Sequence, residues 1–145
     1  MAVRLFDQPF DPWILVRERE RGLPLEGLGA CTVFAGRMRD FNDDQDVRAL
    51  FLEHYPGMTE RELERIVAEA EARWPAITCE VAHRVGAVEP SETLVLVAVW
   101  SAHRVDARDA CSEILERLKH EAPFWKRERL ADGSERWVEK NTPGH

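Results

Sequence analysis

The chain is poor in cysteine, in tyrosine and in positive charge, and it has no long apolar run. Its three cysteines, Cys31, Cys79 and Cys111, lie far apart and form no CxxC pair, which argues against a disulfide framework and a cysteine-based zinc site. A reducing compartment is expected. The longest apolar run, Leu94 to Trp100, is far too short to cross a bilayer, and Asp7 and Asp11 interrupt the region where a signal peptide needs an uncharged core. A soluble, cytoplasmic protein with no membrane contact is the expectation. With 20 Lys and Arg against 27 Asp and Glu, the net charge of −7 argues against general nucleic-acid binding, which depends on excess cations neutralising phosphates. Any anion site has to be local.

What is present suits one globular domain spanning residues 1–145. The apolar content is 44%, and there is no repeat, low-complexity tract or dividing linker. A chain of this size buries roughly two-thirds of its unfolded surface. Residues 140–145 are polar, contain Pro143 and Gly144, and read as a loose tail.

Periodicity predicts an alternating α+β order. Val3 to Phe6 reads as a strand; Asp11 as N-cap with Pro12 behind it opens a helix to about Arg21, which Gly22 ends. Gly29 to Phe34 reads as a strand, Gly36 to Asp46 as a mobile loop carrying two arginines, and Val47 to His54 as the next strand. Thr59 and Glu62 are expected to form a capping box for a helix to Trp74, with Leu63, Ile66, Val67 and Ala70 as its buried stripe. Ile77 to Val81 and Thr93 to Trp100 read as the two strands of a hairpin. Asp106 is expected to cap a helix with apolar positions Ala107, Cys111, Ile114, Leu115 and Leu118, ended before Pro123. Trp125 to Leu130 and Glu135 to Val138, joined through Asp132-Gly133, read as a second hairpin.

Chemistry concentrates in Leu118 to Glu128, L-K-H-E-A-P-F-W-K-R-E, where Lys119 on a helix and Lys126 on a strand flank Pro123, Phe124 and Trp125. Further cations collect at Arg37 and Arg39, at His103 and Arg104, and at Arg127. A lysine near other cations and desolvated by aromatics loses its proton more readily. Bringing it from about 10.4 to near 7 takes on the order of 4 to 5 kcal/mol of differential destabilisation. The plain alternative for Lys119 is a charge complementing a helix C-terminus. His54 and His83, on strands, read as structural residues. Cys79 and Cys111 read as core, and Cys31 as a strand residue. Leu115 reads first as helix packing, and Phe34, Trp100 and Trp125 read equally as core or as pocket wall. No metal site is evident.

The ordered segments F-A-G-R-M-R-D (Phe34 to Asp40), L-E-H-Y-P-G-M (Leu52 to Met58), A-H-R-V-G (Ala82 to Gly86), S-A-H-R (Ser101 to Arg104) and Leu118 to Glu128 together resemble the large, catalytic subunit of molybdopterin synthase, over nearly the whole chain. The resemblance implies an α/β hammerhead fold with an additional antiparallel β subdomain. It implies a sulfurtransferase that moves sulfur from the C-terminal Gly-Gly thiocarboxylate of a small ubiquitin-like subunit to cyclic pyranopterin monophosphate, forming the dithiolene of molybdopterin. No cofactor is implied. The implied assembly is a homodimer of large subunits with a small subunit at each end.

By the same resemblance Lys119 and Lys126 are the catalytic pair. Arg37, Met38, Arg39, His103, Arg104, Lys119, Lys126, Arg127 and Glu128 are the implied substrate-binding residues, with Arg39, His103, Arg104, Lys126 and Arg127 holding the pterin phosphate and the incoming tail, and Phe34, Arg39 and Leu115 the implied contacts to the partner's tail. An anionic substrate and an anionic tail agree with local cationic clusters in an acidic chain. Lys119 is expected to act as general acid or base or to be transiently acylated, and Lys126 to stay charged. A non-catalytic module that grips such tails, or a lysine Schiff-base enzyme, remains open on the residues alone.

Overall fold

The computed structural model describes residues 2–138; the expected tail at 140–145 lies outside them. In chain order the strands are β1 (Val3–Phe6), β2 (Ala30–Arg37), β3 (Phe41–Asn42), β4 (Gln45–His54), β5 (Thr78–Arg84), β6 (Gly86–Val88), β7 (Thr93–Ser101), β8 (Phe124–Leu130) and β9 (Glu135–Val138). The helices are α1 (Pro12–Glu20), α2 (Met58–Arg73) and α3 (Arg104–Glu121). The α+β class read from the sequence holds, with the added antiparallel subdomain.

The first sheet has the order β1-β5-β7-β2, with β1 parallel to β5 and the other pairs antiparallel. Strand alternation divides its side chains between two cores. Cys79 and Val81 of β5 and Val95, Val97 and Val99 of β7 face α2 and α3, meeting Leu63, Ile66, Val67 and Ala70 on one helix and Ala110, Cys111, Ile114 and Leu118 on the other. Ala82, Leu96, Ala98 and Trp100 face α1 and pack on Leu15. Because both faces of β7 are covered, its sequence is apolar throughout rather than alternating. The expected stripe of α2 is the buried one. The Asp11 cap is also present, Oδ1 accepting the Trp13 N–H at 2.9 Å. Buried Glu80 holds Arg4 at 2.9 Å and Arg19 at 3.8 Å, so the edge strand and α1 share one carboxylate.

The second sheet has the order β3-β4-β8-β9, with β6 also paired to β4, and its inner face buries Met38, Val47, Leu50, Leu52 and Val88. The expected antiparallel pairing of β5 with β7 is found, with Glu80 opposite Ala98, but their connection is not a plain turn. It contains β6, which pairs Gly86 with Leu52 and Val88 with Leu50 and so ties the two sheets together.

Three expectations are corrected. The segment Gly36 to Asp46 is not a loop. Gly36 lies inside β2, where a Cβ would meet Val95 Cγ1 at 2.9 Å, and Asp43 and Asp44, at φ of 51° and 61°, form the tight turn between β3 and β4. Aspartate tolerates this left-handed backbone well enough to act as a turn residue without glycine. The cap of α2 lies earlier than Thr59 and Glu62: Gly57 is the N-cap, and its N–H donates to Glu60 Oε1 at 3.0 Å. Finally, α3 begins at Arg104 with His103 as N-cap, which leaves Asp106 in the first turn.

Candidate active site

At its C-terminal end α3 presents Leu115, Leu118 and Lys119 to one side. Ala122 is the cap residue, and Pro123, which cannot donate a backbone hydrogen bond, returns the chain as β8. Thr59 fixes this hinge: its hydroxyl accepts the Tyr55 N–H at 3.0 Å and donates to the Pro123 carbonyl at 3.3 Å. Along β8, alternation sends Phe124, Lys126 and Glu128 inward and Trp125, Arg127 and Arg129 outward. The two lysines therefore meet across the hinge, one from a helix and one from a strand.

They meet where two cavities join. The first, about 130 Å³, has mainly apolar walls from β4, β7, α3 and β8, Leu94, Leu115 and Phe124 among them, with Lys119, Lys126 and His83 as its polar members. The second, about 140 Å³, is lined by Arg37, Met38, Arg39, Asn42 and Glu128, and shares Lys119 and Lys126 with the first. A single space thus has an apolar limb and a polar, cationic limb, with both lysines at the junction.

The electrostatics follow from burial. Burial pushes the Lys126 ammonium down to about 8; neighbouring Lys119 adds to this and Glu128 opposes it. The sequence reading placed the easily deprotonated amine at Lys119 and did not anticipate the lowered ammonium at Lys126. His83 is held at about 4, again mainly by burial and further by Lys126 and Lys119. Glu128 is only 5% exposed, and its Oε2 accepts Asn42 Nδ2 at 3.0 Å while Oε1 accepts Arg136 Nε at 2.9 Å. It anchors the β3–β4 turn and β9 against the polar limb. Arg39 lies over the Phe41 ring at 4.9 Å. The Met38 backbone is tied to the segment before β7, its N–H donating to the Glu92 carbonyl at 2.9 Å.

Of the residues singled out in the sequence, Arg37, Met38, Arg39, Leu115, Lys119, Lys126 and Glu128 come together here. Arg127 points to the opposite face, over Phe51 at 4.6 Å and paired with Glu135 at 3.0 Å. Phe34 packs against the core between the first sheet and helices α2 and α3 and lines neither of these two cavities. His103 and Arg104 stand at the other end of α3, about 22 Å along the axis from Lys119 at ~1.5 Å per residue. Cys79 and Cys111 are buried core residues; Cys31 is exposed, its thiol pushed up to about 11 by partial desolvation and then by Glu20. Asn42, Arg136 and His83 were not read from the sequence as site residues. His83 carried one usable signal, since it shares the strand phase of Cys79 and Val81 and must point to the α3 side.

Comparison with known proteins agrees with this geometry. The MoaE protein family profile matches residues 7–121. The molybdopterin synthase catalytic subunit of Pseudomonas aeruginosa is 48% identical over 96% of this chain and 91% of its own length. That of Escherichia coli is 44% identical over 91% of this chain and 85% of its own. Among solved structures, the molybdopterin biosynthesis MoaE protein of Burkholderia ambifaria superposes with a TM-score of 0.80 at 44% identity, covering 99% of this chain and 94% of that one. Molybdopterin synthase from Staphylococcus aureus gives 0.82 at 32% identity, covering 92% and 94%. With the profile covering most of the chain and relatives near half identity along almost all of it, the chain belongs to the MoaE family.

Proposed function

We propose that this chain is the catalytic subunit of a molybdopterin synthase and transfers sulfur from a small partner's C-terminal thiocarboxylate to cyclic pyranopterin monophosphate. One observation carries this reading: an apolar limb and a cationic limb meet at two lysines. The apolar limb suits an extended tail of small residues, whose ordering cost is met by excluded water and contacts along its length. The limb lined by Arg37 and Arg39 suits a phosphorylated pterin, since guanidinium groups match phosphate oxygens in charge and geometry. The thiocarboxylate then reaches its acceptor between Lys119 and Lys126.

In this arrangement the thiocarboxylate sulfur attacks the pterin side chain, a carbon–sulfur bond forms, and the carbon–oxygen bond at that position breaks, the oxygen taking up protons and leaving as water. A second water then adds to the resulting thioester carbonyl, the acyl carbon–sulfur bond breaks, and the tail leaves as a carboxylate with the sulfur retained on the pterin as a thiolate. Lys126, titrating near 8, is suited to exchanging a proton close to neutral pH and to stabilising the oxyanion when charged. Lys119 borders both limbs and serves as acid or base or as a transient acyl acceptor.

The remote position of His103 and Arg104 supports a homodimer. β2 is the edge strand of its sheet; it starts opposite Ser101 and ends at Arg37, beside the polar limb. Two copies pairing these edges antiparallel bring the Ser101–Arg104 end of one protomer to the Arg37 end of the other. A cytoplasmic location accords with this role, and among the described residues no helix is long and apolar enough to cross a membrane.

The test is a single-turnover assay with cyclic pyranopterin monophosphate and thiocarboxylated small subunit. Wild type is expected to form molybdopterin, and Lys119→Ala to lose at least about a hundredfold in rate while still binding the partner. A wild type that binds the partner and forms no product would leave a tail-binding module as the better description.

A further inference from the structure

While its two lysines are protonated, the apolar limb has, among the described residues, a single side chain able to accept a hydrogen bond. These residues are all hydrocarbon except His83 and the two lysines, Lys119 and Lys126, which as ammonium groups only donate. The tautomer of His83 is fixed by its surroundings. Nδ1 lies 2.7 Å from the Arg84 carbonyl, which can only accept, so Nδ1 carries the proton and Nε2 keeps its lone pair. One face of the ring stacks on Phe124, centroids 4.1 Å apart and planes at 17°, which holds the plane of the imidazole, while the Nδ1 hydrogen bond sets which edge faces Arg84. Phe124 shares its strand face with Lys126, so the ring stands in the same row as the lysine. Burial and the two ammonium groups keep the ring neutral, so Nε2 remains an acceptor at physiological pH.

An extended peptide entering an apolar limb brings backbone N–H groups that lose their water, and each one left unpaired weakens binding. Glycine residues offer no side chain to compensate. We propose that His83 Nε2 accepts a backbone N–H of the incoming tail, making His83 a positioning residue that sets how far the tail's terminal sulfur advances toward Lys119 and Lys126. This rests on the tail-binding reading above and adds an orienting contact to it.

The test uses short synthetic peptides ending in Gly-Gly, with single amide-to-ester replacements that remove one N–H at each of the last three linkages. Affinity is measured by competition with the small subunit for wild type, His83→Phe and His83→Gln. For wild type, one ester position is expected to weaken binding by about tenfold while its neighbours change little. In His83→Phe, which retains the stack on Phe124, amide and ester at that position should bind alike. His83→Gln, which returns an acceptor near the Nε2 position, should restore part of the difference. In single turnover, His83→Phe should slow sulfur transfer even with partner at saturation. Equal binding of all esters by wild type, or an ester penalty that persists in His83→Phe, overturns the proposal and leaves the tail-binding reading intact. A wild type that binds no Gly-Gly peptide overturns both. Because the ester scan on wild type needs no variant to fold, the decision does not depend on the stability of His83→Phe.

Discussion

Lys126 and His83 are two basic groups held below their ordinary pKa by the same burial, and each imposes a pH dependence of known sign. For Lys126 the unfolded chain binds a proton more tightly than the folded one between about 8 and 10.5, so folding stability rises with pH through that window. Urea unfolding of wild type at pH 7.5 and 10, set against Lys126→Met, should show this rise only in wild type, at most about 3 kcal/mol. If the charged form of Lys126 serves the transfer, the rate at saturating partner should fall as pH increases through about 8. For His83 the unfolded chain binds the extra proton between about 6.5 and 4, so stability is lost as pH falls through that range. Acid titration followed by tryptophan fluorescence should find this component in wild type and not in His83→Gln.

Among the elements, the hinge between α3 and β8 controls the site because it sets the approach of both lysines. Thr59, fully buried, reaches it from the start of α2. Thr59→Val keeps the shape but removes the hydroxyl from two backbone partners, which should cost about 1–3 kcal/mol in urea unfolding and reduce the transfer rate. The cap of the same helix gives a second check: Glu60→Ala should destabilise by about 1 kcal/mol, whereas Glu62→Ala, which loses an exposed pair with Arg65, should cost less.

These elements also show what the sequence disclosed. Helical stripes and the alternation of β8 were legible because they follow from local period, and so was the meeting of a helix-borne with a strand-borne lysine. The β3–β4 turn was not legible, because two aspartates in left-handed backbone look like any polar loop. The capping box was misread because Gly57, with φ of 86°, turns the chain before Thr59, and the threonine hydroxyl is committed to Pro123. His83 appeared structural because a lone histidine on a strand has no local signature. Its cavity exists only when β5, α3 and β8 are assembled.

At the scale of the whole molecule, the proposed sharing of the site between two protomers predicts complementation. Arg104→Ala and Lys119→Ala should each be nearly inactive alone. After mixing and subunit exchange, mixed dimers carry one intact site, and about a quarter of wild-type activity should return when both variants are equal in amount, half the dimers being mixed under random exchange. No recovery, with mixed dimers verified by native mass spectrometry, would mean that Arg104 acts within its own chain, and full activity of Arg104→Ala alone would mean that it has no role in the reaction.

The joined cavity draws its walls from positions as distant as Arg37 and Val138, contributed by both sheets and α3. Such closure over long stretches of chain is slow compared with forming a helix or a hairpin. During refolding, catalytic competence should therefore be the last property regained, trailing far-ultraviolet ellipticity and appearing together with the final burial of Lys126. Product formation then doubles as a clock for completion of the fold.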